Sequence, residues 1–171
     1  MSRQAQPAMD ETASFGDEFS GDQKSGMEKA RPIPRISIQA FCDDKHTADV
    51  LQYAAEDRRL SKAHVSVHMG GIGAAVAHYV DSPTPNLIIL DCSLRGSQLL
   101  SELDSLAESC DPGTKVVVIG RHNDVLLYRE LLKRGVSEYL VTPIEPLQLM
   151  ESISNLYNNP DTDPVGHVFA F

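Results

Sequence analysis

From position 35 onward, short apolar runs alternate with segments in which apolar residues recur every three or four positions. The first pattern predicts buried strands, and the second predicts amphipathic helices. Five runs have the length and composition of strands: 36–41, 64–69, 87–91, 115–119 and 138–141. A helical pattern follows each run, so the chain predicts strands and helices in strict alternation.

Turn and capping residues bound the helical patterns. The predicted helices are 47–57, 74–80, a segment around 99–106, 125–134 and 146–157. Asn123 and Asp124 are suitable N-cap residues for the fourth helix, and Gly135 is a suitable residue to end it. Gly70-Gly71 predicts a turn between the second strand and the second helix.

Alternating strands and helices predict a parallel sheet with helices on both faces. The runs 87–90 and 116–119 are apolar throughout and belong at its centre, whereas 64–69 alternates and is typical of an edge strand. We therefore expect an α/β fold with three layers and flavodoxin-like strand order 2-1-3-4-5. In that order the functional crevice lies at the carboxyl ends of strands one and three, where Asp91 ends its strand.

Composition divides the chain into three parts. Residues 1–34 are rich in polar and acidic residues without apolar periodicity, which predicts a flexible acidic tail. Residues 35–158 form the predicted domain. Residues 159–171 are expected to be a linker and the first strand of a following domain.

Charge and composition exclude several functional classes. The net charge of −9 argues against binding to nucleic acid or to an anionic membrane surface. No apolar run approaches the ~20 residues that a membrane span needs, and no signal pattern is present, so we expect a cytoplasmic protein. Cys42, Cys92 and Cys110 are expected to be reduced and buried. His64 and His68 would lie ~13 Å apart along a strand, which excludes a shared zinc ion.

The segments 85–91 and 135–143 resemble the receiver domain of two-component response regulators. The first is similar to that family's third strand with its phosphoacceptor aspartate, here Asp91. The second is similar to the approach to the fifth strand, which ends in a dipeptide that is normally Lys-Pro. The resemblance runs from about residue 35 to 157 and implies the receiver fold.

The segments 35–42, 69–72, 113–120 and 123–131 resemble the N-terminal domain of the CpaE/TadZ proteins of Tad-type (Flp) pilus systems. The resemblance implies that a ParA/MinD-type ATPase domain follows this domain and that the protein helps to organise pilus assembly at the cell pole. No glycine-rich phosphate loop with a lysine occurs in this chain, so we expect no enzymatic activity from it.

The receiver resemblance also implies a set of residues that assist phosphorylation. Family members hold Mg²⁺ with an acidic pair after strand one, and supply a hydroxyl after strand four and a lysine after strand five. The corresponding positions here are Gly120 for the hydroxyl and Thr142 for the lysine. Each lost charge-stabilising contact costs ~3 kcal/mol in the transition state, so efficient phosphotransfer is not expected.

Three charged residues near the crevice leave alternatives open. Asp43 and Asp44 would join Asp91 around Mg²⁺ if strand one runs long or bulges, and otherwise they form a turn or N-cap pair. Arg121 would contact Asp91 or a bound anion, or else lie in solvent as a loop residue. We therefore expect no required cofactor, with Mg²⁺ as the one candidate ion.

The fourth helix carries more apolar residues than one core-facing stripe needs. Leu126, Tyr128 and Leu132, together with Tyr139 at the aromatic switch position that the resemblance implies, form the candidate interface. The resemblance implies a homodimer or partner contact through helix four, strand five and helix five.

Three functions remain as hypotheses. The first is a non-catalytic pseudo-receiver that serves as an interaction and localisation module, with the ATPase domain and other pilus-assembly components as partners. The second is a working phosphoacceptor in a two-component phosphorelay, with Asp91 as the acceptor. The third, a flavodoxin-like cofactor binder, lacks a phosphate loop after strand one.

Overall fold

A computed structural model describes residues 33–158 of the chain. Residues 1–32 of the predicted tail and the predicted linker, 159–171, lie outside the described residues. Ile33 falls within the predicted tail, yet its side chain is buried in the core and its N–H donates to the carbonyl of Arg59 at 3.2 Å. The packed fold therefore includes Ile33, a residue that composition assigned to the tail.

Five parallel strands form one sheet in the order β2-β1-β3-β4-β5, which confirms the predicted architecture. The strands are β1 Ser37–Cys42, β2 His64–Met69, β3 Leu87–Asp91, β4 Lys115–Gly120 and β5 Glu138–Val141. Every residue of β3 is buried, as expected for a central strand of a sheet covered on both faces. The alternating strand β2 lies at the edge.

Helices cover both faces of the sheet. They are α1 Lys45–Ala55, α2 Gly71–Tyr79, α3 Gly96–Ser109, α4 Val125–Lys133 and α5 Pro146–Asn158, with a 3-10 turn at Arg58–Leu60. Alternate residues of the strands pack on opposite layers: one core includes α1 and α5, and the other includes α2, α3 and α4. Because each strand points successive side chains to opposite faces, the uninterrupted apolar run of β3 fills both cores.

Two helices begin earlier than the sequence pattern predicts. The helix α1 begins at Lys45, two residues before the predicted start, because Asp44 caps it: the side chain of Asp44 accepts from the N–H of Thr47. The helix α2 begins at Gly71 instead of Ala74. The low helix propensity of glycine argues for a later start, but the turn at Gly70, with φ of 113°, leads directly into the helix.

None of the helices within residues 33–158 combines the length and the hydropathy that crossing a membrane requires.

Candidate functional site

Asp91 lies at the carboxyl end of β3 in the crevice beside β1, with none of its surface exposed. Its Oδ2 atom accepts hydrogen bonds from the backbone N–H groups of Asp43 at 3.2 Å and Asp44 at 2.9 Å. These two residues follow β1 directly, and β1 and β3 are neighbours, so strand order alone brings the donors to the acceptor. Asp91 therefore joins the β1–α1 loop to the centre of the sheet.

The side chains of Asp43 and Asp44 point to different partners. Asp44 caps α1 through Oδ2, which accepts from the N–H of Thr47 at 3.3 Å. Asp43 accepts from the backbone N–H of Ser93 at 3.0 Å, on the loop that follows β3. The Asp43 carboxylate also lies directly over Gly71, where any Cβ atom would overlap it. Asp91 and Asp43 thus form a reciprocal clasp, each accepting from the backbone of the other's loop.

The second oxygen of Asp91, Oδ1, is buried and accepts no hydrogen bond within the described part of the chain. The nearest cation is Arg121, whose Nη2 atom lies 3.9 Å from it. The same guanidinium donates from Nε to the hydroxyl oxygen of Ser93 at 3.2 Å. The contact with Asp91, one of the two alternatives for Arg121, is therefore present, although 37% of the arginine side chain remains exposed.

Burial dominates the electrostatics of this carboxyl. Burial raises the pKa of Asp91 above its ordinary value, and the nearby Asp43 carboxylate adds to the rise. The backbone N–H groups of Asp44 and Asp43 and the Arg121 guanidinium lower it. The charged form of Asp91 is consequently costly, and its compensation comes from the protein's own donors and cation.

The three aspartates do not converge in the way a magnesium site requires. Mg²⁺ prefers six oxygen ligands in near-octahedral geometry. Here Asp44 caps a helix and Asp43 accepts from Ser93, while Arg121 lies on the free side of Asp91. Among residues 33–158, no group of three or more His, Cys, Asp or Glu residues is placed to hold a metal ion. With the guanidinium of Arg121 beside Oδ1, this arrangement does not fit a resident magnesium ion.

Gly120, at the hydroxyl position, gives space to Tyr139. A Cβ atom on Gly120 would overlap the Tyr139 hydroxyl and ring. The phenol lies under the β4–α4 loop and donates to the carbonyl oxygen of His122 at 2.8 Å. Thr142, at the lysine position, donates its backbone N–H to the carbonyl oxygen of Gly120 at 2.9 Å and brings no charge to the site.

Most of the candidate interface is exposed. Only one residue of α4, Leu131, is buried, while Leu126, Tyr128 and Leu132 are 72%, 38% and 39% exposed. Tyr139 differs from the expectation that grouped it with them: it is 8% exposed because Gly120 admits its ring to the interior. The exposed apolar face is therefore formed by α4 without Tyr139.

The cysteines are free thiols. Cys42 and Cys92 are buried, as predicted, whereas Cys110 is only partly buried. Burial raises the pKa of Cys42 to about 12 and the pKa of Cys92 to about 11, so both are neutral neighbours of Asp91.

Ser93 and His122 belong to the site but were not among its predicted residues. Each contributes a backbone group, the N–H of Ser93 and the carbonyl of His122, and side-chain identity gives no signal for such a contact; the Ser93 hydroxyl that accepts from Arg121 is the one side-chain contribution of the two. The available signal for both residues was their position in the sequence. Both follow strands whose carboxyl ends meet at the crevice, and any residue there has backbone groups within reach of its neighbours.

Two solved structures of pilus assembly proteins are similar to this chain. One is the pilus assembly protein CpaE from Caulobacter crescentus CB15, at 51% identity and a TM-score of 0.72, a match that covers 74% of this chain and 97% of that one. The other is the CpaE2 pilus assembly protein from Sinorhizobium meliloti 1021, at 41% identity and a TM-score of 0.66, covering 68% of this chain and 96% of that one.

A more distant likeness shows the fold alone. The CheY-like response regulator receiver domain protein from Methanospirillum hungatei JF-1 is 20% identical, with a TM-score of 0.57 over 71% of this chain and 92% of that one. No protein-family model and no curated protein matches the chain. The fold is that of a receiver domain.

Proposed function

The chain belongs to the CpaE family of pilus assembly proteins, and we propose that it is a receiver-like interaction module in pilus assembly that works without efficient phosphorylation of Asp91. It is a docking element and not a catalyst. Its partners are other proteins: the ATPase domain that the family resemblance implies, further pilus-assembly components, and a second copy of the chain. We place it in the cytoplasm, at the polar site of pilus assembly.

The burial of Asp91 is the observation that carries this proposal. Its carboxylate is fully buried and tied by Oδ2 to two backbone N–H groups, with Arg121 on the side of Oδ1. An attacking carboxylate oxygen must reach phosphorus, and the approach of two anions needs neutralising cations. Here the cation contacts the carboxylate itself, and the position that the family fills with lysine holds Thr142.

An amide NMR titration of the 171-residue chain tests the absence of a phosphoryl switch. Mg²⁺ is added first, followed by beryllofluoride, which stands in for the phosphoryl group. We expect no saturable shifts at Asp91 or Asp43 and none at Tyr139. Shifts that saturate at all three positions, and that vanish in Asp91→Asn, would disprove the proposed function.

A working phosphoacceptor remains the second candidate, and one observation favours it. The Oδ1 atom of Asp91 accepts no hydrogen bond, so one buried carboxylate oxygen is available for a bond to phosphorus. The same titration separates the two candidates, because only a phosphoacceptor is expected to bind beryllofluoride in an Asp91-dependent manner.

The exposed face of α4 supports the interaction role. On α4, Leu126 and Val125 are 72% and 61% exposed, and on α5, Leu147 is 47% exposed. Exposed apolar side chains grouped at one surface are characteristic of protein interfaces. We propose that this α4–β5–α5 surface pairs two copies of the chain.

Sedimentation of Leu126→Glu tests this surface. The substitution places a charge at the centre of the proposed contact, and we expect it to shift the chain to the monomer with little loss of folding stability, about 0.5 kcal/mol or less. Tyr53→Glu is the matched control, because Tyr53 is 70% exposed on α1, which lies in the helix layer on the other side of the sheet from α4. Equal sedimentation of both variants and the unsubstituted chain would exclude pairing through α4.

A further inference from the structure

Arg121 contacts both Asp91, the last residue of β3, and Ser93, in the loop that follows β3. Its Nη2 atom lies 3.9 Å from the buried Oδ1 of Asp91, and its Nε donates to the hydroxyl of Ser93 at 3.2 Å. Of the ion pairs formed within residues 33–158, this is the one that involves Asp91. The guanidinium therefore lies on the solvent side of the carboxylate, across the mouth of the crevice.

The backbone on both sides of Arg121 is anchored. The carbonyl of Gly120 accepts from the N–H of Thr142 at 2.9 Å, and the carbonyl of His122 accepts from the hydroxyl of Tyr139 at 2.8 Å. Tyr139 reaches that carbonyl because Gly120 has no side chain. Because the backbone on both sides of Arg121 is anchored, ordering the arginine side chain towards β3 costs less conformational entropy than it would in a mobile loop.

The negative charge of the buried Asp91 carboxylate needs compensation. A carboxylate removed from water is strongly destabilised unless charges or hydrogen bonds replace its hydration. The N–H groups of Asp43 and Asp44 serve Oδ2, while the Asp43 carboxylate adds a second negative charge nearby. For Oδ1, the available compensation is the guanidinium.

We propose that Arg121 is the built-in counter-ion of Asp91 and supplies from the chain itself the positive charge that a bound divalent cation would otherwise bring to this crevice. The proposal rests on the proposed function, because a site with its own cation keeps one state without metal or phosphoryl group. Arg121 is a positioning residue: it holds Asp91 and, through Ser93, the β3–α3 loop. A divalent cation and the guanidinium compete for the same oxygen.

A double-mutant cycle on thermal unfolding of the full chain tests the coupling. The variants are Arg121→Ala, Asp91→Asn and the double substitution, with Arg129→Ala as the control, because Arg129 is an exposed arginine of α4. We expect Arg121→Ala to lower the unfolding midpoint by about 3–6 °C and Arg129→Ala to leave it nearly unchanged. In the Asp91→Asn background, the effect of Arg121→Ala should be less than half as large.

Metal dependence gives a readout that a merely structural role would not change. Each variant is unfolded with millimolar Mg²⁺ or with a chelator. We expect Mg²⁺ to raise the midpoint of Arg121→Ala and to leave the unsubstituted chain unchanged, because only the variant has an uncompensated carboxylate. Arg121→Lys, which keeps the charge without the planar guanidinium, should fall between them.

The proposal is overturned if Arg121→Ala and Arg129→Ala unfold alike, or if the loss is the same with Asp91 and with Asn at position 91. If Arg121→Ala does not fold, recovery of folding in the double variant supports the proposal, and failure of the double variant contradicts it. These results are separate from the beryllofluoride titration. A chain that binds beryllofluoride would refute the proposed function, while the cycle alone decides whether Arg121 and Asp91 are coupled.

Discussion

The ring of Tyr139 occupies the space that a side chain on Gly120 would need. The phenol packs against Gly120 at the end of β4, Tyr139 is 8% exposed, and its hydroxyl donates to the carbonyl oxygen of His122 at 2.8 Å. Gly120 ends the strand beside the one that ends in Asp91. One missing side chain thus removes a hydroxyl from the crevice and also fixes the aromatic residue of β5 in the interior.

Replacing Gly120 with Ala should displace Tyr139 and destabilise the fold. Because the new methyl group overlaps the phenol, we expect a loss of about 1–3 kcal/mol in the free energy of unfolding, measured by urea titration, and increased exposure of the Tyr139 ring by NMR. Gly73→Ala is the matched control. A Cβ atom there meets nothing within 4 Å, and alanine in a helix is expected to stabilise by up to about 1 kcal/mol. If Gly120→Ala leaves the free energy of unfolding unchanged, the ring of Tyr139 moves aside without cost.

Gly71 tests the position of Asp43 over the β2–α2 turn. Its φ is 61°, and a Cβ atom would overlap the Asp43 carboxylate. We expect Gly71→Ala to cost about 2–4 kcal/mol in unfolding free energy, of which about 1–2 kcal/mol reflects the left-handed backbone.

Gly113→Ala measures the part of the Gly71→Ala cost that comes from the positive-φ backbone alone. Gly113 also has positive φ, at 91°, but a Cβ atom there meets nothing within 4 Å. The difference between the two alanine variants measures the contact with Asp43, and it should shrink when Asp43 is replaced by Ala. Equal losses at Gly71 and Gly113 would show that the carboxylate moves aside freely.

The pattern of apolar residues was sufficient to predict a parallel sheet with β3 and β4 near its centre and β2 at its edge, whereas the full strand order came from the flavodoxin-like fold. The run that became β3 is apolar at every position except its last, so it fits only a central strand that ends at the crevice. Local patterns indicate which face a residue occupies, and the order of elements then determines which strand ends meet. For Asp43 and Asp44 the pattern left two alternatives open, and the structure decides between them: β1 extends to Cys42, one residue beyond its predicted end, and the N–H groups of both residues reach Asp91.

The same pattern could not assign the partners of these side chains. Asp43 and Asp44 are identical and adjacent, yet one binds Ser93 across the crevice and the other caps α1. The difference depends on the direction of each side chain, which is fixed by the backbone after folding. The role of Gly120 was likewise hidden, because it is visible only from the position of Tyr139 on another strand.

Two substitutions of Asp91 separate its hydrogen bonds from its charge. Asp91→Ala leaves the N–H groups of Asp43 and Asp44 without an acceptor, and each unsatisfied buried donor costs ~1–3 kcal/mol. We expect a loss of about 2–4 kcal/mol in unfolding free energy for Ala. Asp91→Asn keeps a carbonyl acceptor and should lose less than half as much. Equal losses in the two variants would mean that charge, and not the backbone clasp, accounts for the stabilising effect of Asp91.

The raised pKa of Asp91 predicts the sign of a pH effect on stability. Burial makes the folded chain retain this proton at pH values where the unfolded chain, with an ordinary carboxyl pKa of about 3.9, has released it. Over that interval the unfolded state binds fewer protons than the folded state, so stability falls as pH rises. The contribution is fully present below pH ~4 and is lost as pH passes the folded-state pKa.

The measurement is the difference in unfolding free energy between the unsubstituted chain and Asp91→Asn across a pH series, because the subtraction removes other titrating groups to the extent that they act independently of Asp91. We expect this difference to become less favourable to aspartate as pH rises from about 4. Arg121 and Asp43 are the charged groups facing Asp91 and act in opposite directions. Arg121→Ala should therefore extend the decline to higher pH. A difference that instead grows with pH would show that the guanidinium and the backbone N–H groups outweigh burial, because only a lowered folded-state pKa gives that sign.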